Sequence, residues 1–309
     1  MTAKATTRKP VPVGSRPDKR PARVDGARLL YAYLQKDLLL SDVWLFQMLT
    51  ARLIVDLGIW FPPAVYSCLP LLVPYAVRDS DSRGDVAHGI PDQWGSPNAD
   101  GVFRDDNSLV KGIPRSLHVD SRRKVYGGAR IDKGFVAAHV WRRLETGSPS
   151  TRERLTYSFV PNLVWLPAEV AKLTDREGSF VQAFVQAVAV KTYRDTKLTP
   201  AMKKIADPIW EMLPQPKNIP VQALPGPHDL NFFIPTRRWL NRRLQMIKDV
   251  VSALEVAQTG PLSKPIISSR YTLGLPNVER ERLRQLHHSL DAYAKVAGEA
   301  MPPEDAAFD

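Results

Sequence analysis

The spacing of apolar residues changes along the chain and predicts where helices give way to strands. From Gly26 to about Trp60 the apolar residues recur at helical spacing, and Ser41 followed by Asp42 predicts a cap between two helices. Residues 78–108 are acidic and rich in turn-forming residues, and from 109 to about 166 short β-type segments alternate with glycine and proline. The pattern therefore predicts a helical region followed by a region of short strands.

The C-terminal half is predicted to be mainly helical. Residues 177–195, "EGSFVQAFVQAVAVKTYRD", repeat apolar positions at helical spacing, and similar patterns cover 236–257 and 277–298, whereas residues 195–235 are proline-rich and predicted to be irregular. We therefore predict an α+β fold, mostly helical, with a small ββα-type hairpin-helix element between helical regions. Its predicted parts are a basic arm at 1–25, a helical region at 26–95, a ββα core at 96–195, and a proline-rich connection with a C-terminal helical region at 196–309.

The positive charge of the chain is concentrated at its beginning. The formal net charge is +11 and the pI is near 9.8, which favours an anionic partner such as nucleic acid or an acidic membrane surface. Residues 1–24 carry seven lysines and arginines against one aspartate, so they contribute +6 of that charge. This arm has four prolines and few large apolar residues, so we predict that it is disordered. The arm either binds the phosphates of a nucleic acid without recognising the base sequence or serves as a solubilising tail.

One cysteine and one long uncharged segment bear on the compartment. Because Cys68 is the single cysteine, an intrachain disulfide and a cysteine-based zinc site are excluded, and a cytoplasmic protein is expected. Residues 57–77 run 21 positions without a charge, which is long enough to span a bilayer. Four prolines in that run would each remove a helical hydrogen bond that lipid cannot replace, so no membrane span is expected.

Two polar residues stand out in the strand region. His139 lies in "GFVAAHVWRRL" at the predicted end of a strand, and Asn162 lies in "SFVPNLVWLP", which leads into a helix. Their order resembles that of the HNH (ββα-metal) endonuclease family over about residues 130–180. The resemblance implies that His139 is a general base that takes a proton from water, and that Asn162 orients the loop beside it. Each residue also has a purely structural interpretation. His139 could be a hydrogen-bonded core residue, and Asn162 could be a turn residue.

The same resemblance implies a divalent metal that stabilises negative charge on the phosphate. Where the family carries ligands before the histidine and along the helix, this chain has Ala138 and Ala171. Carboxylate oxygens suit Mg²⁺ or Mn²⁺. The acidic candidates near the hairpin and the helix are Asp105, Asp106, Glu169 and Asp175. The alternative is that no metal binds and that the fold is a retained scaffold.

Basic residues cluster on both sides of the predicted hairpin and at the start of a C-terminal helix. A phosphate-binding groove needs such clusters, because contacts to the nucleic acid backbone supply affinity and register. The alternative is a solvated surface. The predicted nucleic-acid-binding residues are Arg115, Arg122, Arg123, Lys124, Arg130, Arg142, Arg143, Arg238 and Arg242.

These features together predict a metal-dependent HNH-like endonuclease, or a related nucleic acid processing protein, that hydrolyses phosphodiesters. DNA is the expected partner, and the resemblance implies a role in bacterial defence or restriction. The chain has no P-loop, no dinucleotide-binding glycine motif and no serine nucleophile elbow, which removes those enzyme classes. Two alternatives stay open. One is a nucleic acid binding module with a decayed site, supported by Ala138 and Ala171, and the other is an interaction or structural protein whose basic arm binds an acidic partner.

Overall fold

The computed structural model describes most of the chain from Leu40 onward. The described residues are 40–80, 82, 101–120, 126–174, 177–217, 219, 224–259, 275 and 278–303. The chain divides into two compact units, residues 1–46 and 47–309. Of the first unit only residues 40–46 are described; they are helical, and the side chains of Trp44 and Leu45 are exposed. The predicted basic arm and the helical pattern from Gly26 to residue 39 lie outside the described residues.

Eight α-helices occur in the described part of the chain. They are α1 (Leu40–Leu57), α2 (Pro63–Cys68), α3 (Ser108–Gly112), α4 (Ala168–Ala171), α5 (Phe180–Tyr193), α6 (Pro200–Met212), α7 (Arg237–Thr259) and α8 (Arg280–Glu299). The two long C-terminal helices, α7 and α8, pack against each other and bury an apolar face each, including Leu244 and Ala297.

Seven short strands form two sheets within the described residues. They are β1 (Ile59–Trp60), β2 (Ala76–Arg78), β3 (Phe103–Asp105), β4 (His118–Asp120), β5 (Phe135–His139), β6 (Leu163–Pro167) and β7 (Asn231–Ile234). The larger sheet has the order β4-β7-β1-β6-β5, and β2 pairs with β3 in a separate parallel sheet. In the larger sheet β1 runs parallel to β7 and antiparallel to β6, while β4–β7 and β5–β6 are antiparallel pairs. The fold is therefore α+β and mostly helical, as predicted.

Large aromatic side chains form the core around the centre of the larger sheet. Trp165 on β6 is fully buried, and the rings of Phe61 and Phe233 pack edge-on against it with centroids 5.2 and 5.4 Å away. Phe61 also stacks on Trp239 of α7, at a centroid distance of 5.3 Å. Removing these rings from water stabilises the packing of α7 against the sheet.

The uncharged segment at 57–77 belongs to this core. It contains β1 and α2, and its side chains at Ile59, Val65 and Val73 are buried against the rest of the protein. Its prolines lie at the start of α2 and in the turns that follow it. No helix in the described residues combines the length and the apolar character needed to cross a lipid bilayer.

Several predicted elements are confirmed, and two of the predicted helices begin at a side-chain cap. The helix α5 follows Ser179, whose hydroxyl accepts a hydrogen bond from the Gln182 N–H, and α7 follows Thr236, whose hydroxyl accepts one from the Trp239 N–H. The helix α8 occupies the third predicted pattern, and β4, β5 and β6 occupy the predicted strand region. These elements could be predicted because their caps and periodicities are local features of the sequence.

Two other predictions are wrong. The segment at 195–235, predicted to be irregular, contains α6 and β7. Pro200 occupies the first turn of α6, where its missing N–H has no partner to lose, and Thr199 caps the helix by accepting a hydrogen bond from the Met202 N–H. Ser41 lies inside α1 rather than at its cap. A serine within a helix costs only about 0.5 kcal/mol relative to alanine, so its neighbours can keep it helical.

The regions predicted as separate parts of the chain contribute to one sheet. The strand β1 comes from the region at 26–95, β4, β5 and β6 come from 96–195, and β7 comes from 196–309. The strand β5 lies at one edge of this sheet and ends at His139. The ββα element is therefore built into a larger sheet, and its edge strand carries the candidate catalytic residue.

Candidate functional site

The site is organised by the hairpin of β5 and β6 and by the helix that follows it. His139 is the last residue of β5 and lies opposite Leu163, the first residue of β6. The helix α4 begins directly after β6 at Ala168 and continues into a 3-10 turn at Lys172–Thr174. The chain order of strand, long loop, strand and helix is the predicted ββα arrangement, and His139 lies where the first strand enters the loop.

Asn162 closes the loop that connects the two strands. Its side-chain Oδ1 accepts a hydrogen bond of 2.7 Å from the Trp141 N–H, and its Nδ2 donates one of 2.8 Å to the Thr156 carbonyl. Its own carbonyl accepts a hydrogen bond from the Val140 N–H at 3.0 Å. Asn162 is completely buried, so these contacts have no competition from water. One asparagine therefore ties both ends of the loop together directly beside His139.

The imidazole of His139 is held in a defined orientation by Tyr157. Its Nε2 lies 2.9 Å from the Tyr157 carbonyl, and its ring stacks on the Tyr157 ring with centroids 5.3 Å apart. Because a carbonyl can only accept, Nε2 must carry the proton of this hydrogen bond, and the lone pair of the neutral ring is on Nδ1. A neutral imidazole with a fixed tautomer is the form that a general base requires.

Burial keeps His139 uncharged at neutral pH. Desolvation lowers the pKa of His139 from 6.5 to about 4, the positive charge of Arg78 lowers it further, and the hydrogen bond to Tyr157 opposes both effects. The imidazole is therefore unprotonated over the whole physiological pH range.

Tyr157 is itself anchored by a buried carboxylate. The Tyr157 hydroxyl donates a hydrogen bond of 2.6 Å to Oδ2 of Asp105, which also accepts from the Val110 N–H, while Oδ1 accepts from the Leu109 N–H. Burial raises the pKa of Asp105, although each of these hydrogen bonds lowers it. Asp105 is only 1% exposed. Its hydrogen bonds connect the Tyr157 hydroxyl to the first turn of α3.

A cleft of about 380 Å³ opens in front of His139. We call it the histidine cleft. Three of its lining residues, Arg78, Arg142 and Lys172, are exposed cations, and no acidic residue is among the described residues that line it. Its wall also includes Asn107, Ala138 and Ala171. Such a cleft suits an anionic ligand, because three positive charges concentrate an attractive field in a confined space.

The predicted metal ligands that the structure describes do not line this cleft. Asp105 is occupied by the hydrogen bonds to Tyr157 and α3, Asp106 accepts from the Ser108 N–H at 3.0 Å, and Glu169 is exposed on α4 outside the cleft lining. Asp175 lies outside the described residues. No group of three or more histidine, cysteine, aspartate or glutamate side chains is placed to hold a metal in the part of the chain that the structure describes. The three described candidates, Asp105, Asp106 and Glu169, therefore do not by themselves supply the carboxylate set expected for Mg²⁺ or Mn²⁺.

The predicted nucleic-acid-binding residues that the structure describes fall into three groups. Arg142 lines the histidine cleft, and Arg115 with Arg242 lines a second cleft. The remaining described arginines lie elsewhere: Arg130 donates to His118 Nε2, Arg143 donates to the Gly147 carbonyl, and Arg238 is exposed outside both clefts. The positions outside the described residues are Arg122, Arg123 and Lys124.

Four residues of the site were not predicted. Arg78 and Lys172 line the histidine cleft, Asn107 lines it and donates to the Ala137 carbonyl, and Tyr157 supports the histidine. Asn107 has one local signal, since it precedes a helix and adopts a φ of 82°, a conformation in which asparagine is enriched. Arg78 has none, because its place in the cleft depends on how β2 packs near the hairpin.

Comparison of the chain with protein-family models, with curated proteins and with solved structures finds no match.

Proposed function

We propose that the protein binds nucleic acid in the histidine cleft and hydrolyses a phosphodiester there, with His139 as general base. One observation carries this proposal: a neutral histidine of fixed tautomer lines a cleft whose charged described residues are all cations. Phosphodiesters are anionic at every physiological pH, and nucleic acid is the macromolecule that presents them in series. The basic character of the whole chain supports the same partner.

The proposed reaction uses residues that the structure brings together. His139 Nδ1 takes a proton from water, and the resulting hydroxide attacks the phosphorus atom. The bond from phosphorus to the leaving oxygen then breaks, and that oxygen takes a proton from solvent. Arg78, Arg142 and Lys172 line the cleft in which the phosphoryl oxygens would lie and so stabilise their growing negative charge. Asn162 and Tyr157 are positioning residues, because they act through the loop and the imidazole.

The test is cleavage of supercoiled plasmid and of RNA by purified wild-type, His139→Ala and His288→Ala proteins. His288 is the matched control, since it is an exposed histidine on α8 outside the cleft. We expect wild type and His288→Ala to nick or degrade the substrate and His139→Ala to lose this activity. Parallel reactions with Mg²⁺, Mn²⁺ or EDTA show whether a metal is required. Equal cleavage by wild type and His139→Ala would remove the histidine from the reaction.

A second candidate function is nucleic acid binding without turnover. The observation that favours it is the lining of the histidine cleft by Ala138 and Ala171, the positions where the HNH-like resemblance implies metal ligands. Binding without cleavage in any of the metal conditions, weakened by Arg78→Ala and by added salt, would establish this function instead.

A further inference from the structure

A second cleft is lined by α3, the turn that follows it and α7, and it combines basic and apolar residues. Its volume is about 340 Å³, and we call it the arginine cleft. Arg115 and Arg242 are its two exposed cations, and Ser108 and Ser116 add hydroxyl groups. The apolar part of its lining is formed by Leu109, Ile113, Trp239 and Met246. No acidic side chain is among the described residues of this lining.

The linings of the two clefts include two consecutive residues of the chain. Asn107 lines the histidine cleft, and the next residue, Ser108, lines the arginine cleft. Consecutive α-carbons are about 3.8 Å apart, so the two linings approach each other at the start of α3. Both clefts are also basic, which suits an anionic chain better than two unrelated small molecules.

The composition of the arginine cleft matches the two halves of a nucleotide. Its volume falls within the range of about 300–1,000 Å³ typical of small-ligand sites. Guanidinium groups bind phosphate oxygens in a bidentate geometry, and an apolar surface accepts the face of a base. The accessible part of that surface is formed by Met246 and Leu109, because Trp239 is 7% exposed and stacks on Phe61. In a duplex the faces of the bases are covered by their neighbours, so only an unstacked nucleotide presents both groups at once.

We infer that the arginine cleft binds a nucleotide next to the one in the histidine cleft, with its phosphate on Arg115 and Arg242 and its base on the apolar floor. The ligand is therefore single-stranded nucleic acid. This inference rests on the proposed function, because it extends the same strand from the histidine cleft over Asn107 and Ser108. It accounts for two arginines, far apart in the sequence, that the fold brings to one cleft.

The experiment measures binding by fluorescence anisotropy in a His139→Ala background, which removes the proposed base. The probes are a fluorescein-labelled 12-nucleotide oligothymidylate and the same strand paired with oligoadenylate. Arg115→Ala/Arg242→Ala is compared with Lys203→Ala/Lys248→Ala, which removes the same charge from exposed positions outside both clefts. We expect the arginine double variant to bind the single strand about tenfold more weakly than the control, and the slope of log affinity against log salt to fall by about 1.4.

Duplex affinity is expected to change no more in the arginine double variant than in the lysine control. Equal losses for single strand and duplex would overturn the inference, and so would unchanged single-strand binding. A third variant, Arg78→Ala, tests the histidine cleft separately. Loss of binding in Arg78→Ala alone keeps the proposed function and refutes the arginine cleft. Loss in the arginine double variant alone refutes the proposed use of the histidine cleft and, with it, the shared strand on which the inference rests.

Discussion

Replacing Asn162 by alanine is expected to lower the free energy of unfolding by about 4 kcal/mol. The substitution leaves the Trp141 N–H and the Thr156 carbonyl without their side-chain partner in a completely buried position. Each unsatisfied buried group costs about 1–3 kcal/mol, so two such groups account for the expected loss. Urea denaturation followed by tryptophan fluorescence measures it, because Trp141 and Trp165 are buried in the folded protein.

The matched control for this substitution is Asn241→Ala. Asn241 is an exposed residue on α7, so its replacement is expected to change the free energy of unfolding by less than about 0.5 kcal/mol. A loss of under about 1 kcal/mol in Asn162→Ala would contradict the role assigned to this asparagine as the residue that closes the loop. In that case the proposed orientation of His139 would depend on the Tyr157 carbonyl alone.

The parts of the fold that could be predicted are those with local signals. The helix α5 has a serine cap and regular apolar spacing, and α7 has a threonine cap at Thr236. The pairing of β1 with β7 had no such signal, because β1 is two residues long and joins Asn231 from the distant end of the chain. Likewise, the prolines of this segment indicate breaks and hide α6, although Pro200 fits the first turn of a helix.

The site shows the same division between local and distant information. His139 and Asn162 could be singled out because both belong to one hairpin and its loop. The cations of the histidine cleft come from separate elements, Arg78 from β2 and Lys172 from the turn after α4, so their convergence follows from tertiary packing alone. Asp105 looked like a metal ligand because it lies in an acidic stretch. In the structure its oxygens accept hydrogen bonds from Tyr157 and from the backbone of α3.

Acidification from pH 6.5 to 4 is expected to lower the free energy of unfolding through His139 by up to about 3 kcal/mol. Burial lowers the pKa of His139 to about 4 in the folded protein, whereas the pKa of an unfolded-chain histidine is 6.5. Between these values the unfolded chain binds a proton that the folded protein does not bind, so stability falls as the pH falls. Between pH 6.5 and 4 each pH unit lowers the free energy of unfolding by about 1.4 kcal/mol, and the loss is complete below pH 4.

The variant that isolates this contribution is His139→Gln, because glutamine does not titrate and its amide can still donate to the Tyr157 carbonyl. Urea denaturation of both proteins at pH 7, 6, 5 and 4 is expected to show wild type losing about 3 kcal/mol more than the variant. Asp105 titrates in both proteins, so its raised pKa cancels in the difference. Curves that stay parallel down to pH 4 would show that His139 is solvated and ionises like a free histidine. Such a histidine would be largely protonated at pH 5 and could not act as a base there, so the same measurement also bounds the pH range in which the proposed hydrolysis can occur.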